Sequence, residues 1–232
     1  MVELERYISG LNDLNLGKKI NGGSCSSIYE FEDCKYFKYF VEDYRDLSDD
    51  INLEFYDVVR YLSSLKNMPY IVRGEDVFRS TDEFFGYSMP IIQADSFRNI
   101  SDTVLVDDVL NGFYLLSRDI RVLSDNFVKT EDIGGDNILY NGFMYLLDLD
   151  LSLVDKRYVP DELYERTMNS VLCAVRNKLL GESRYDDIVD MGDIDEYFTL
   201  LKDVSSEGIG KEVVTISDMR RGYQKVKNIY RS

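Results

Sequence analysis

Histidine is missing altogether from the 232 residues. With it go serine and cysteine triads that rely on imidazole, imidazole-ligated metals and any histidine general base. Proton chemistry is left to Asp, Glu, Lys or Tyr. Cysteine is scarce: Cys25, Cys34 and Cys173 have no CxxC spacing. An odd count without an export signal predicts free thiols in a reducing compartment, and scattered cysteines argue against zinc. No apolar run approaches the ~18–20 residues needed to span a bilayer. The opening stretch MVELERYISGLNDL carries acids where a secretory signal carries Lys or Arg. The expectation is a soluble, cytoplasmic chain without membrane contact.

Positive charge is also short. Lys and Arg number 27 against 43 Asp and Glu, a formal net charge of −16. Duplex nucleic acid and anionic membranes would be repelled by most of this surface. Lys211 to Arg231 is the exception, read as a basic-faced terminal helix or as a docking patch for an acidic partner.

Hydrophobic residues make up 44% of the chain, enough for one large core or two modest lobes. Residues 2–14 carry Leu4, Ile8 and Leu11 at helical spacing and predict a short amphipathic helix. Strand-like pieces follow: LGKKI, SSIYEFE and KYFKYF, with turns at NGG and ED. Asp49 to Lys66 is helical in period, and IVRGEDVF and EFFGYSMPII read as strands. Residues 101–125 predict a long helix with Leu105, Val109, Leu110, Phe113, Leu116 and Ile120 as its core stripe. NILY and MYLLDL form a hairpin through Asn141-Gly142, the strongest short hairpin signal. Helices over 160–181, 193–203 and 216–230 complete the chain, with Pro160 as a start and Gly181 as a stop. The class is α+β, in two lobes: 1–92 with strands and one main helix, and 93–232, mostly helical.

The stretch TEDIGGDNILYNGFMYLLDLD (130–150) gathers acids around a hairpin. Asp132 and Asn137 flank a turn that can aim a carboxylate and an amide at one point. The hairpin brings Asp148 back toward Asn137. Such oxygen-only ligands suit Mg²⁺, which usually arrives with substrate phosphates. Earlier, Gly22, Gly23, Ser24, Ser26 and Ser27 make a small-residue loop whose N–H groups could approach phosphate oxygens, or a plain flexible turn. In KYFKYF, Tyr36 and Lys38 share one strand face and Phe37 takes the other. A lysine on a mostly buried strand needs a partner, and Glu54 on the next helix is the natural one, with Asp57 as the alternative.

A Gly-rich hairpin, a strand lysine, a helix glutamate, Asp-x₄-Asn-Ile-Leu and a strand-end Asp, in that order, resemble the protein kinase-like superfamily over residues 17–150. The resemblance implies a two-lobe fold with a small antiparallel N-lobe sheet and a helical C-lobe. It implies an ATP- and Mg²⁺-dependent kinase. The Gly22–Ser27 loop would cover the ATP phosphates. Lys38 would contact the α- and β-phosphates and be held by Glu54. Met89 would stand at the gatekeeper position, and Pro90 to Gln93, with Ile91 among them, would touch adenine through backbone groups. Asp132 would orient or deprotonate the acceptor hydroxyl. Asn137 and Asp148 would hold Mg²⁺, with Asp150 the alternative to Asp148.

The chain departs from the family at several positions. Thr130-Glu131 replaces His-Arg before the catalytic Asp, Gly134 replaces a phosphate-steadying lysine, and Asp148-Leu149-Asp150 replaces Asp-Phe-Gly. Losing the Arg removes the usual receiver of an activation-loop phosphate. Only about ten residues separate Asp150 from the helix near Pro160. The pattern is similar to divergent bacterial or phage kinase-like proteins, RIO-type kinases and aminoglycoside phosphotransferases. The leading expectation is a divergent Ser/Thr protein kinase. A small-molecule hydroxyl acceptor, a pseudokinase scaffold and AMP transfer stay open. The oligomeric state is not legible.

Overall fold

The computed structural model describes residues 5–22, 26–40, 49–80, 84–131, 133–181, 194–210, 212 and 215–231. They form an α+β fold with mostly antiparallel strands and, among the described residues, five α-helices. Among these residues no helix is long and apolar enough to cross a membrane. The chain divides into two compact units, 1–93 with 147–154, and 94–146 with 155–232.

The first unit is built on a six-stranded sheet. Its strands are β1 (Glu5–Tyr7), β2 (Leu16–Gly22), β3 (Ser26–Phe31), β4 (Lys35–Phe40), β5 (Val77–Arg79) and β6 (Phe84–Pro90), in spatial order β1-β5-β6-β4-β3-β2. Every pairing is antiparallel except β1 with β5. Helix α1 (Asp49–Ser64) lies between β4 and β5 in sequence. Strand alternation splits KYFKYF between two cores. Phe37 packs with Phe31 and Phe78 on one face, with ring centroids 5.2–5.7 Å apart. On the other face, Phe40 joins Tyr56, Val59, Val77, Phe84 and Tyr87, with Met89 packed against them.

The amphipathic helix expected over 2–14 does not form in the described residues 5–14. Glu5–Tyr7 is a strand, and Leu11–Asp13 is a single 3₁₀ turn. Gly10, a poor helix former, sits between them fully extended at φ 174°. Ile8, Leu11 and Leu14 pack against the Phe31–Phe37–Phe78 cluster, so tertiary contacts override a short local pattern. Arg6 is tied at 3.0 Å to the buried carboxylate of Asp76, which Lys35 also reaches at 3.0 Å. Asp76 further accepts the Ser88 hydroxyl at 3.2 Å. Of the run IVRGEDVF only Val77 and Phe78 enter a named strand, which ends at Arg79.

The second unit holds helices α2 (Val106–Asp125), α3 (Pro160–Leu180), α4 (Ile194–Ile209) and α5 (Ile216–Arg231). It also holds a small antiparallel sheet of β7 (Asp95–Ser96), β8 (Ile138–Tyr140) and β9 (Met144–Leu146), in order β9-β8-β7. The predicted α2 stripe is buried from Val109 to Ile120, but Leu105 precedes the helix and is exposed. The hairpin forms where expected, with a three-residue loop. Met144 pairs with Tyr140, and the Asn141 N–H donates to the Phe143 carbonyl at 3.2 Å. In the Asn-Gly pair only Gly142 takes positive φ, at 103°.

Helices α4 and α5 meet backbone to backbone. A Cβ built at Gly222 would land on the Ser205 carbonyl, and one at Gly208 on the Gly222 carbonyl. Neither obstacle is a side-chain end that could turn aside. Gly222→Ala should therefore lower stability by at least about 1–3 kcal/mol, the usual cost of overpacking, read as a lower denaturant midpoint at unchanged m-value.

Candidate functional site

Lys38 lies in the middle of β4, where the ladder places it directly across from Tyr87 on β6 and Ile28 on β3. Its side chain is 6% exposed. An ammonium so deeply withdrawn from water must find counter-charge. It finds it 110 residues away in sequence. The chain leaves β9 at Leu146, and Asp148 takes up a left-handed conformation, φ 65° and ψ 44°. Aspartate tolerates that region better than most residues. The turn continues as a 3₁₀ element, Leu149–Leu151, against which α1 packs. Leu149 is buried and anchors it.

Both acids of this turn meet Lys38. The ammonium donates to Asp148, and it donates to the two oxygens of Asp150 at 2.9 and 3.2 Å. The side chain of Asp150 is 6% exposed and that of Asp148 is 41% exposed. The Tyr87 hydroxyl donates to Asp150 at 3.3 Å. Lys38 also lies 5.6 Å from the centroid of the Phe40 ring.

Charge orders this cluster. Burial, the largest influence on Lys38, pulls its pKa down, but Asp150 and Asp148 together outweigh it and hold the ammonium above the ordinary value. Burial and then the neighbouring carboxylates keep the Tyr87 phenol far above its usual pKa, so it stays a donor. Burial would raise Asp148, yet the charge and hydrogen bond of Lys38 win and hold it below the carboxylate norm. Burial together with the charge of Asp148 leaves Asp150 raised despite Lys38. Two carboxylates against one ammonium leave one negative charge over, carried by the more exposed Asp148.

That surplus bears on Mg²⁺. The donors are oxygens alone, which suit a hard cation. Asp150 is turned inward onto Lys38, whereas Asp148 is open enough to offer an oxygen. Among the described residues no group of three or more Asp, Glu or Cys could hold a metal ion. Of the two acids, Asp148 is the one that would be free to hold a Mg²⁺ arriving with phosphates, its oxygens being the donor type such an ion takes.

The other expected site residues fall as follows. Asp132, Gly23 and Ser24 lie outside the described residues, as does the side chain of Glu54, whose backbone is on α1. Asp57, the alternative partner, is exposed. Gly22 ends β2 opposite Ser27, which is buried, and Ser26 opens β3 opposite Phe40. Met89 pairs with Tyr36 and packs on the Phe40–Tyr87 cluster. The Ile91 N–H, expected to face adenine, donates instead to the Cys34 carbonyl at 3.3 Å.

Asn137 belongs to the second unit, at the foot of the hairpin, and its N–H donates to the Gly134 carbonyl at 3.0 Å. The Gly135 carbonyl accepts the Ser96 hydroxyl at 3.2 Å and the Arg98 N–H at 3.4 Å, which pins this loop. A cavity of about 490 Å³ opens beside it, lined by Ile133 to Asp136, Cys173 and Asn177 among others. Glu131 pairs with Lys129 at 2.5 Å and Arg166 at 3.3 Å, and Asp136 with Arg98 at 2.7 Å. Thr130 is buried, its hydroxyl 2.7 Å from that of Thr167.

Sequence reasoning missed Tyr87 and the place of Asp150. The alternation in EFFGYSM marks Tyr87 as strand. Setting it across from Lys38 requires the β4–β6 register, which skips a whole helix. Removing the cation should expose the cost of this cluster. Lys38→Met leaves Asp150 buried and unpaired and should lower stability by roughly 3–5 kcal/mol. Adding Asp150→Asn in the same chain should recover part of the loss, as urea unfolding midpoints would record.

Comparison with known protein families and with curated proteins gives no match.

Proposed function

We propose that this chain is an ATP- and Mg²⁺-dependent phosphotransferase with the two-lobe architecture of the protein kinase-like superfamily, passing the γ-phosphoryl group to a hydroxyl, in the first instance a protein serine or threonine. One observation carries the reading: Lys38 and Asp148, to which the resemblance gives the phosphate-binding and metal-binding roles, meet although 110 residues separate them. Supporting it, Lys38 lies on the third strand of the antiparallel run β2–β3–β4, and α1 follows that run.

In this reading Lys38 supplies a fixed positive charge to the α- and β-phosphate oxygens. Its buried setting raises the worth of that charge over what it would have in water. Asp148 stays ionised beside it and, being part exposed, would offer an oxygen to the metal. Mg²⁺, when bound, neutralises charge on the β- and γ-phosphates. Asp132 orients the acceptor hydroxyl and takes its proton, since no histidine exists to do so.

A second reading, nucleotide binding without transfer, is favoured by two features: Gly134 stands where a lysine would steady the γ-phosphate, and the Ile91 N–H is already donated to Cys34. One assay separates the two. The purified protein is incubated with γ-³²P-ATP, Mg²⁺ and casein as a general acceptor. Transfer to casein or to the chain itself should appear, should vanish with EDTA, and should fall by at least about 10²-fold in Asp132→Asn. Lys38→Met and Asp148→Asn should lose it as well. Thermal stabilisation by ATP and Mg²⁺ without transfer would establish the second reading. Label from α-³²P-ATP would indicate AMP transfer. Neither binding nor stabilisation at millimolar Mg²⁺ would overturn the nucleotide site itself.

A further inference from the structure

We propose that Asp150 is the positioning residue for Lys38, in the role that the resemblance assigns to a carboxylate on α1. The part this plays in transfer rests on the phosphotransferase reading; the geometry does not. Asp150 grips the ammonium with both oxygens, at 2.9 and 3.2 Å, and both side chains are 6% exposed. Asp150 is itself held in place. Tyr87 and Lys38 are directly opposed in the β4–β6 ladder, so their side chains leave the same face of the sheet together. The Tyr87 hydroxyl reaches Asp150 at 3.3 Å, and one carboxylate thus sits over both. Behind it, the Ser152 N–H donates to the Leu149 carbonyl at 3.0 Å and closes the turn, while Leu149 is 3% exposed.

The two acids of the turn divide the work. Asp148 is 41% exposed and can exchange Lys38 for a cation that arrives with phosphates. Asp150 has no comparable route to solvent and stays with the lysine. After that exchange a neutral Lys38–Asp150 pair is left in the interior, which is the state a buried ammonium tolerates best.

A regulatory consequence follows. In protein kinases the lysine–helix glutamate pair and the metal-binding aspartate must each be in place, and helix position controls the first. Here the lysine clamp and the metal ligand are two residues apart on one 3₁₀ turn. Placing one places the other, and a swing of α1 is not needed to complete the lysine pair.

The test reads Lys38 directly. The folded protein is treated briefly with an amine acylating reagent, and peptide mass spectrometry gives the labelling rate of Lys38, with Lys35 as the internal control and circular dichroism as the check on folding. Asp150→Asn should raise Lys38 labelling about tenfold, as loss of a hydrogen bond to a charged group implies, with Lys35 unchanged. Asp150→Glu should return it toward the wild-type rate. Where transfer is measurable, Asp150→Asn should lower kcat/KM for ATP and leave KM for casein unaltered. The opposite pattern, Glu54→Gln unmasking Lys38 while Asp150→Asn does not, overturns the proposal. A wild-type protein without transfer activity removes the phosphotransferase reading but leaves the labelling result to decide the role of Asp150.

Discussion

A buried ammonium is the constraint on which the first unit depends. Lys38 cannot lie in the middle of an aromatic strand without nearby negative charge, because desolvation would otherwise exceed anything its methylenes gain by packing. The solution joins the sheet to a distant segment. Residues 147–154 belong to the first unit although the chain around them belongs to the second. The turn at 148–150 supplies the charge, Leu149 the apolar anchor, and Tyr87 a further hydrogen bond to Asp150. Under the proposed function, the groups that make the lysine tolerable in the interior are also those that would hold it ready for a phosphate.

Local features of this fold were legible in the sequence, and distant ones were legible only as needs. The hairpin around Asn141-Gly142 reads from a few consecutive residues and forms as read, with Gly142 alone taking the positive φ. The splitting of KYFKYF between two faces follows from a period of two. The same period shows that Lys38 must have a partner, but not which one. Glu54, early on the next predicted helix, was the natural candidate, and its side chain lies outside the described residues. Asp148 and Asp150 come from beyond a second helix and a hairpin, and no local pattern encodes that return. Residues 5–14 failed for the complementary reason. Leu4, Ile8 and Leu11 have helical spacing, yet a strand partner in β5 and a phenylalanine cluster were available, and a short helix has little of its own to oppose them.

In the second unit, the residues before and after position 132 are held by local contacts. Thr130, at the position where the resemblance has histidine, is buried and shares a hydroxyl contact with Thr167. Glu131, at the arginine position, sits between Lys129 and Arg166. The loop at 133–136 is held through the carbonyls of Gly134 and Gly135, which any residue can provide.

The contact between α4 and α5 has a mechanical meaning. Interfaces made of side chains can slip, because rotamers re-sort and ridges find new grooves. At Gly208 and Gly222 the main chains themselves touch, and there is no rotamer to change. The last two helices therefore behave as one stiff part. Arg220, which reaches the Lys178 carbonyl and Asp102, couples that part to the end of α3. A force applied to the basic C-terminal helix would be borne by the pair as a whole and passed to α3, not absorbed by sliding.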